Sequence, residues 1–349
     1  MTTNVKLQDS KRWEHWTSMY SVHQHWDPLQ VCVVGRSYPP EFYSWITVPH
    51  VRSLFERIAI ETEEDYQRII ACLQRFGVQI LRPQLPNNTP GKPFVPPPMC
   101  PRDRFVMIGS KFYWSYQPMN LLQCYDHIMQ HVQQQGNTVT QSPMHWINGS
   151  MISRIGCDLY FGTEHITQDL NAAIGYVNSE FPQYRNHVIN TGGHSDGTYC
   201  PVAPGLIISL CDVPTYAETF PGWEVVYLPN QSWAQVRPFL ELKKKNHGRW
   251  WIPGFENDQA VIDLVEQWLQ HWTGYVEETV FDVNMLIIDP KNVIVFNHCD
   301  LVCNALSRYG ITPHVIPFRH RYFWDGGIHC NTLDLDRIGN QQNFFPERS

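Results

Sequence analysis

The sequence predicts an α/β protein built as a pseudo-symmetric ring of ββαβ modules, repeated about five times. Three observations lead there. Several helical segments feed directly into short β-rich runs, strand hairpins alternate with those segments, and apolar side chains suffice for a substantial core. Of 349 residues, 43% are hydrophobic and 13% aromatic. No apolar run approaches the roughly 20 residues that a membrane-spanning helix needs, so neither a membrane nor its lipid is expected as a partner.

The helix-to-strand units are EDYQRIIACLQRFGVQILRP (64–83), YDHIMQHVQQQGNTVTQSP (125–143), LNAAIGYVNSEFPQYRNHVIN (170–190) and CNALSRYGITPHVIPF (303–318). Where a glycine ends the helix it supplies a left-handed cap, and the β-branched residues that follow favour a strand. WEVVYLP (223–229) has the strand without an obvious helix before it. DQAVIDLVEQWLQHW (258–272) has the helix without a plain strand after it. Strand pairs are read at RFVMIGSKFYWS (104–115), DLYFGT (158–163), LIISLCD (206–212) and NMLIIDPKNVIVFN (284–297). In the last, Asp289-Pro290-Lys291-Asn292 provides the turn chemistry of a hairpin. The proline-rich tract PNNTPGKPFVPPPMCPRD (86–103) reads as a rigid extended loop or a linker. It delivers Arg102 and Asp103 to the entrance of a strand, which is where a site would be built.

The formal net charge of −7 comes with no basic block, which argues against a nucleic-acid partner. The one basic run, Lys243 to Lys245, reads as a solvated loop or helix end. The N-terminal stretch MTTNVKLQDSKRWEHW lacks an apolar segment that would drive secretion, so a cytoplasmic location and reduced thiols are expected. Among the 10 cysteines, Cys32 and Cys72 sit in apolar patterns and read as core. Cys299 and Cys303 are four apart and could share a helix face. No second Cys or His pair accompanies them, so buried thiols are preferred to a zinc site.

Two glycine-flanked segments carry groups able to do chemistry. In TGGHSDGTYC (191–200), His194 and Asp196 are two apart and would share a side of an extended strand. In WDGGIHCNT (324–332), Cys330 follows His329. Alone, the first could be a polar surface turn and the second a core thiol. Together they provide a thiol and an imidazole, and a nucleophilic cysteine needs such a basic partner. Asp103 and Asp196 would suit the rigid donor fork of a guanidinium, which implies arginine or a relative as substrate.

These motifs resemble those of the amidinotransferases of the guanidino-group-modifying superfamily. WDPLQVCVVG (26–35) is similar to the family's first strand, MCPRD (99–103) to its Arg-Asp loop, GGHSDGT (192–198) to its His-x-Asp-x-Thr motif, and GGIHCNTLDLDR (326–337) to its cysteine signature. The resemblance implies a five-bladed α/β propeller, with residues 1–349 as one domain. It implies Cys330 as nucleophile, His194 as general acid/base, and Asp103 and Asp196 as the carboxylates that grip the donor. The reaction would be a ping-pong transfer of the amidino group from L-arginine to an acceptor amine, with no metal or cofactor, in a possible homodimer.

Two positions depart from the family pattern. Asn148 falls where the family has the Asp that orients the catalytic His; either Asn148 takes that role, or it is a turn residue and an acid such as Asp158 does. Val213 falls where glycine-using enzymes have an Arg that pairs with the acceptor's carboxylate. The expected acceptor is therefore a larger amine of secondary, toxin-type metabolism, such as a saxitoxin precursor. Glu277, Glu278 and Asp282 read either as parts of a lid or as a solvated turn. His329 is expected to face away from Cys330, because adjacent side chains of an extended segment point to opposite faces. The alternatives to the transferase are a guanidine hydrolase of the same superfamily and a non-catalytic binder of arginine-like metabolites.

Overall fold

The two ends of the chain close the ring. In the computed structural model, β1 (Leu29–Val34) pairs antiparallel with β15 (Thr332–Arg337) and parallel with β2 (Gln79–Leu81). The structure describes residues 19–88, 92–115, 119–142, 144, 147–162, 170–189, 191, 194–210, 216–229, 231, 252–269, 272, 282–324 and 326–348. The other four sheets repeat the pattern: an antiparallel hairpin, then a third strand parallel to the hairpin's second. They are β3 (Phe105–Ile108), β4 (Lys111–Trp114) and β5 (Thr138–Gln141), and β6 (Ile152–Ile155), β7 (Asp158–Gly162) and β8 (Arg185–Ile189). Next come β9 (Tyr199–Ala203), β10 (Leu206–Leu210) and β11 (Glu224–Leu228), then β12 (Leu286–Asp289), β13 (Asn292–Val295) and β14 (Thr312–Val315). These are the five blades of an α/β propeller, as the repeat and the resemblance predicted.

Local chemistry explains the repeat. Gly77, Gly136 and Gly310 take φ of +80°, +90° and +68° between a helix and the parallel strand that follows it. An L side chain is strained there, so glycine reverses the chain cheaply. The helix Pro49–Arg75 buries Val51, Leu54, Phe55, Ile58, Tyr66, Ile69 and Leu73, the spacing of one apolar helix face. In the β12–β13 hairpin, Asp289 Oδ1 accepts from the Lys291 amide at 2.7 Å and from Asn292 Nδ2 at 2.9 Å.

Three sequence readings resolve here. The strand read at 223–229 is β11, and one helical turn, Tyr216–Thr219, stands before it. The helix Gln259–Trp268 belongs to no blade. Asp258 caps it through the Ala260 and Val261 amides, and its Val261 and Val265 join the apolar cluster of the long helix. The proline-rich tract is a packed strap: Phe94 lies against Trp45 and Trp268, and its carbonyl accepts from Trp272 Nε1 at 2.9 Å. Cys32 and Cys72 are buried, and every described cysteine is free. Cys299 and Cys303 correct the reading, being only partly buried. The helix Asp300–Arg308 turns Val302, Ala305 and Leu306 inward and leaves both thiols on its flank. No helix among the described residues is long and apolar enough to cross a membrane. Lys243 to Lys245 lie outside the described residues.

A buried ion cluster sits where the blades converge. Asp334 on β15 accepts from Arg102 Nη1 (2.9 Å), Arg154 Nη2 (2.9 Å) and Arg337 Nε (2.7 Å). All four residues are buried. Burial alone would raise the Asp334 carboxyl, but the Arg154, Arg102 and Arg337 guanidiniums outweigh it and hold it well below the usual carboxylate range. A carboxylate with a folded pKa below its unfolded value, near 3.9, contributes fully above that pH and loses its contribution as pH falls toward the folded value. Asp334→Asn leaves three buried cations without their counter-charge; we expect it to cost about 3–5 kcal/mol in urea unfolding at neutral pH. A loss below about 1 kcal/mol would show that the backbone carbonyls around the arginines suffice.

Candidate active site

Cys330 sits in a tight turn ahead of β15. The Asn331 amide bonds to the Gly327 carbonyl at 3.1 Å and the Thr332 amide to the His329 carbonyl at 3.2 Å. The two glycines have separate reasons. Gly326 adopts φ +124°, and a Cβ there would meet Cys100 Sγ at 2.8 Å. A Cβ on Gly327 would lie 2.2 Å from Asn284 Oδ1. The missing side chain lets the Asn284 carboxamide reach under the turn. Its Oδ1 accepts from the His329 amide at 2.8 Å, and its Nδ2 donates to the Asp196 carbonyl and to Cys330 Sγ, both at 3.2 Å.

The turn also corrects the expectation for His329. The chain there is not extended, so neighbouring side chains converge. His329 Nδ1 lies 2.7 Å, and Cys330 Sγ 3.4 Å, from the same oxygen, Asp196 Oδ2. Burial, then Arg102 and His25, push the His329 imidazole well below its ordinary range. It is therefore the neutral ring, and beside a carboxylate the proton sits on Nδ1 and is donated to Asp196.

The HSD segment is not extended either. Ser195–Thr198 closes one helical turn with His194 at its N-cap. His194 and Asp196 consequently have different neighbours. His194 Nδ1 comes within 4.0 Å of Asp103 Oδ1, and these side chains are 26% and 30% exposed, whereas Cys330 is fully buried. The thiol thus lies deeper than the imidazole. Arg102 ties the Asp103 loop to the Cys330 turn: its amide bonds to the Cys330 carbonyl at 3.4 Å, and its Nε donates to the His329 and Thr332 carbonyls at 2.8 Å.

Asn148 Oδ1 accepts from the Ser150 amide (3.1 Å), Ser150 Oγ (2.7 Å) and the Met151 amide (3.1 Å), the pattern of a turn-forming Asn. The turn it shapes holds the HSD segment. The Ser150 carbonyl accepts from the Asp196 amide at 3.2 Å, and the Met151 carbonyl accepts from Ser195 Oγ at 3.0 Å. Asp158, the alternative orienter, is engaged by Arg185 (3.1 and 2.6 Å) and His187 (2.6 Å) on β7–β8. Val213, Glu277 and Glu278 lie outside the described residues. Asp282 is described and joins loops, accepting from Gln231 Nε2 at 2.7 Å and Asn297 Nδ2 at 2.8 Å. Among the described residues no group of His, Cys, Asp and Glu side chains has the makings of a metal site.

The site thus brings together Cys330, Asp196, His329 and Asn284 on one side, and His194 and Asp103 on the other. His329 and Asn284 were missed as contributors. The paired glycines were the available signal for Asn284, since a glycine without a positive φ marks a close neighbour. We expect Gly327→Ala to expel the Asn284 carboxamide and destabilise the protein by about 2–3 kcal/mol in chemical denaturation. A change under about 0.5 kcal/mol would mean that the turn can shift to admit the methyl group.

No family model matches the chain. Among known proteins it is 22% identical over 388 residues to the mitochondrial glycine amidinotransferase of Danio rerio, covering 93% of this chain and 84% of the relative. It is 21% identical to the inosamine-phosphate amidinotransferase 1 of Streptomyces glaucescens, covering 94% and 99%. The match to the mitochondrial glycine amidinotransferase of Xenopus tropicalis is more local, 24% over 197 residues, and spans 39% of that relative and 55% of this chain. Among solved structures, SxtG, an amidinotransferase from Microseira wollei in the saxitoxin biosynthetic pathway, superposes with a TM-score of 0.64. That match covers 94% of this chain and 100% of SxtG at 19% identity, and it speaks for the fold. Over nearly its whole length, this chain is thus similar in sequence to amidinotransferases, with which it shares the five-bladed fold.

Proposed function

We propose that the protein moves the amidino group of L-arginine to an acceptor amine through an amidino-cysteine at Cys330. One observation carries this reading: a buried thiol lies 3.4 Å from a carboxylate, with a second carboxylate beside an imidazole at the more open side. Asp196 and Asp103 would receive the planar guanidinium between them. The Cys330 thiolate attacks the guanidinium carbon, His194 protonates the departing nitrogen, and ornithine leaves. The acceptor amine then gives a proton to His194, attacks the same carbon, and expels the thiolate. The proton lent in the first half is recovered in the second, and no electrons change hands. The chemistry therefore balances without a metal or cofactor.

His194 suits the acid/base role better than His329, whose Nδ1 proton is committed to Asp196 and whose imidazole resists protonation. Asn148 positions His194 through the turn it shapes, because that turn holds the Ser195 and Asp196 backbone next to His194. The acceptor reading rests on Val213 in the sequence and on likeness to SxtG, and points to a non-glycine amine of secondary metabolism such as a saxitoxin precursor. A single domain over 1–349, a cytoplasmic setting and a homodimer complete the reading, resting on composition and on the family.

Incubation with L-arginine alone should give an amidino adduct at Cys330 by mass spectrometry and a single equivalent of ornithine, both lost in Cys330→Ala. Continuous citrulline, or ornithine with urea, would establish the hydrolase instead; absence of adduct and ornithine would leave the binding protein. In a screen of amines read by product mass, glycine should lose to larger amines. Asp103→Asn should raise KM for arginine about tenfold while leaving Cys330 open to alkylation, since it removes one charge-assisted contact to the donor.

A further inference from the structure

We infer that Asn284 is a catalytic residue of this site, its Nδ2–H holding the Cys330 sulfur in its anionic form in both halves of the reaction. The inference rests on the amidino-transfer reading above.

The orientation of the carboxamide is forced. The His329 amide is a donor and can bond only to an oxygen, so Oδ1 must face it, at 2.8 Å. The Asp196 carbonyl is an acceptor and can bond only to a nitrogen, so Nδ2 faces it, at 3.2 Å. A flipped amide would set two donors together and two acceptors together. With both ends fixed by backbone groups, the second Nδ2 hydrogen serves Cys330 Sγ at 3.2 Å. Gly327 supplies the room, since any Cβ there would occupy the carboxamide's place. Asn284 is 5% exposed and is the second residue before β12, so it rides on the blade and not on a loop tip.

The donor answers a local electrostatic problem. Cys330 Sγ lies 3.4 Å from Asp196 Oδ2, and a thiolate beside a carboxylate is destabilised by like charge. A fixed N–H aimed at the sulfur offsets that repulsion. It acts twice. In the first half it favours the thiolate over the thiol as the S–C bond forms and the C–N bond to ornithine breaks. In the second, as the new C–N bond forms and the C–S bond breaks, the electron pair returns to sulfur, and the same donor stabilises the leaving thiolate. The thioether-like sulfur of the amidino-cysteine is a weaker acceptor than the thiolate, so the contact discriminates between the intermediate and the states that flank it.

The test compares wild type with Asn284→Asp and Asn284→Ala. Asn284→Asp keeps the size and the oxygen that meets the His329 amide but exchanges the donor for a carboxylate that adds a negative charge, whereas Asn284→Ala removes the donor without adding charge and is the deciding variant. Two readouts are taken: the pH dependence of Cys330 alkylation by iodoacetamide, and the single-turnover rate of ornithine release from arginine. We expect the alkylation midpoint to rise by about one pH unit or more in both variants. Ornithine release at neutral pH should fall about tenfold or more, with KM for arginine little changed. An unmoved alkylation profile with an unchanged single-turnover rate would overturn the role, as would an Asn284→Asp protein that cannot fold, since the contact would then serve structure. Wild type that alkylates at Cys330 yet forms no adduct with arginine would defeat the amidino-transfer reading, whatever the variants do.

Discussion

The Asp334 carboxylate is the point on which the rest of the structure depends. Five small sheets arranged around an axis leave their innermost backbone groups with few partners of their own, and a water-free centre cannot leave them unpaired. Three arginines solve this from one anchor. Arg154 Nη1 donates to the Met107 carbonyl of β3 at 2.7 Å, Arg337 Nη2 to the Ile287 carbonyl of β12 at 2.9 Å, and Arg102 Nε to the carbonyls of His329 and Thr332. Each guanidinium is held on one side by Asp334 and satisfies a different strand or turn on the other. Lysine could not substitute, because a point charge lacks the planar fork that serves a carboxylate and a carbonyl together.

That arrangement has an electrostatic remainder. Three guanidiniums face one carboxylate in the cluster, so two positive charges are left over, and they lie beside the candidate site. They help to keep His25 and His329 neutral, added to the larger effect of burial. A neutral His329 can then do what an imidazolium would do less selectively: it fixes one carboxylate oxygen of Asp196 through a directed N–H. The same cationic surplus favours negative charge nearby, which would suit the two carboxylates and the thiolate of the proposed mechanism. Arg102 joins the axis and the candidate site in one side chain, since it bonds to Asp334 at one end of its fork and to the Cys330 turn at the other.

Much of this was legible in the sequence, and what was not has a physical reason. The units that lead into β2, β5 and β14 were the most readable because they carry their own local signals, an apolar helix face, a glycine with positive φ (Gly77, Gly136, Gly310) and a β-branched run, whereas no glycine precedes β8 and only one helical turn precedes β11. The closing blade was harder, since its strands come from residues 29–34 and 332–337 and pair only across the whole chain. Cys330, His194, Asp103 and Asp196 came from motif resemblance, and the structure sets them in two neighbouring groups. The roles of His329 and Asn284 escaped because both depend on a turn whose shape is set by contacts far away in sequence. Reading 329–330 as extended put the two side chains on opposite faces; the Gly326-Gly327 turn puts them on one oxygen. Asp334 and Arg154 could be noticed only as charged residues in strand patterns, which are ordinarily solvated. Their burial is a property of the assembled axis.

The depth of Cys330 bears on what separates transfer from hydrolysis. On the proposed mechanism, an amidino-cysteine at the fully buried Cys330 sulfur would be attacked from the more open side, where His194 and Asp103 lie. On the inner side the neighbouring donors are committed: Asn284 to the Asp196 carbonyl and the sulfur, and His329 to the Asp196 carboxylate. Neither offers a base to a water molecule. On the proposed mechanism His194 would be the base for whichever nucleophile enters, and the outcome would be decided by how well that nucleophile fills the space vacated by the donor. A small, weakly held water competes poorly there against an amine whose stem packs along the walls, because positioning rather than intrinsic reactivity sets the rate. On the proposed mechanism the choice of acceptor would lie with the outer wall of the site, and the chemistry with the turn that carries Cys330.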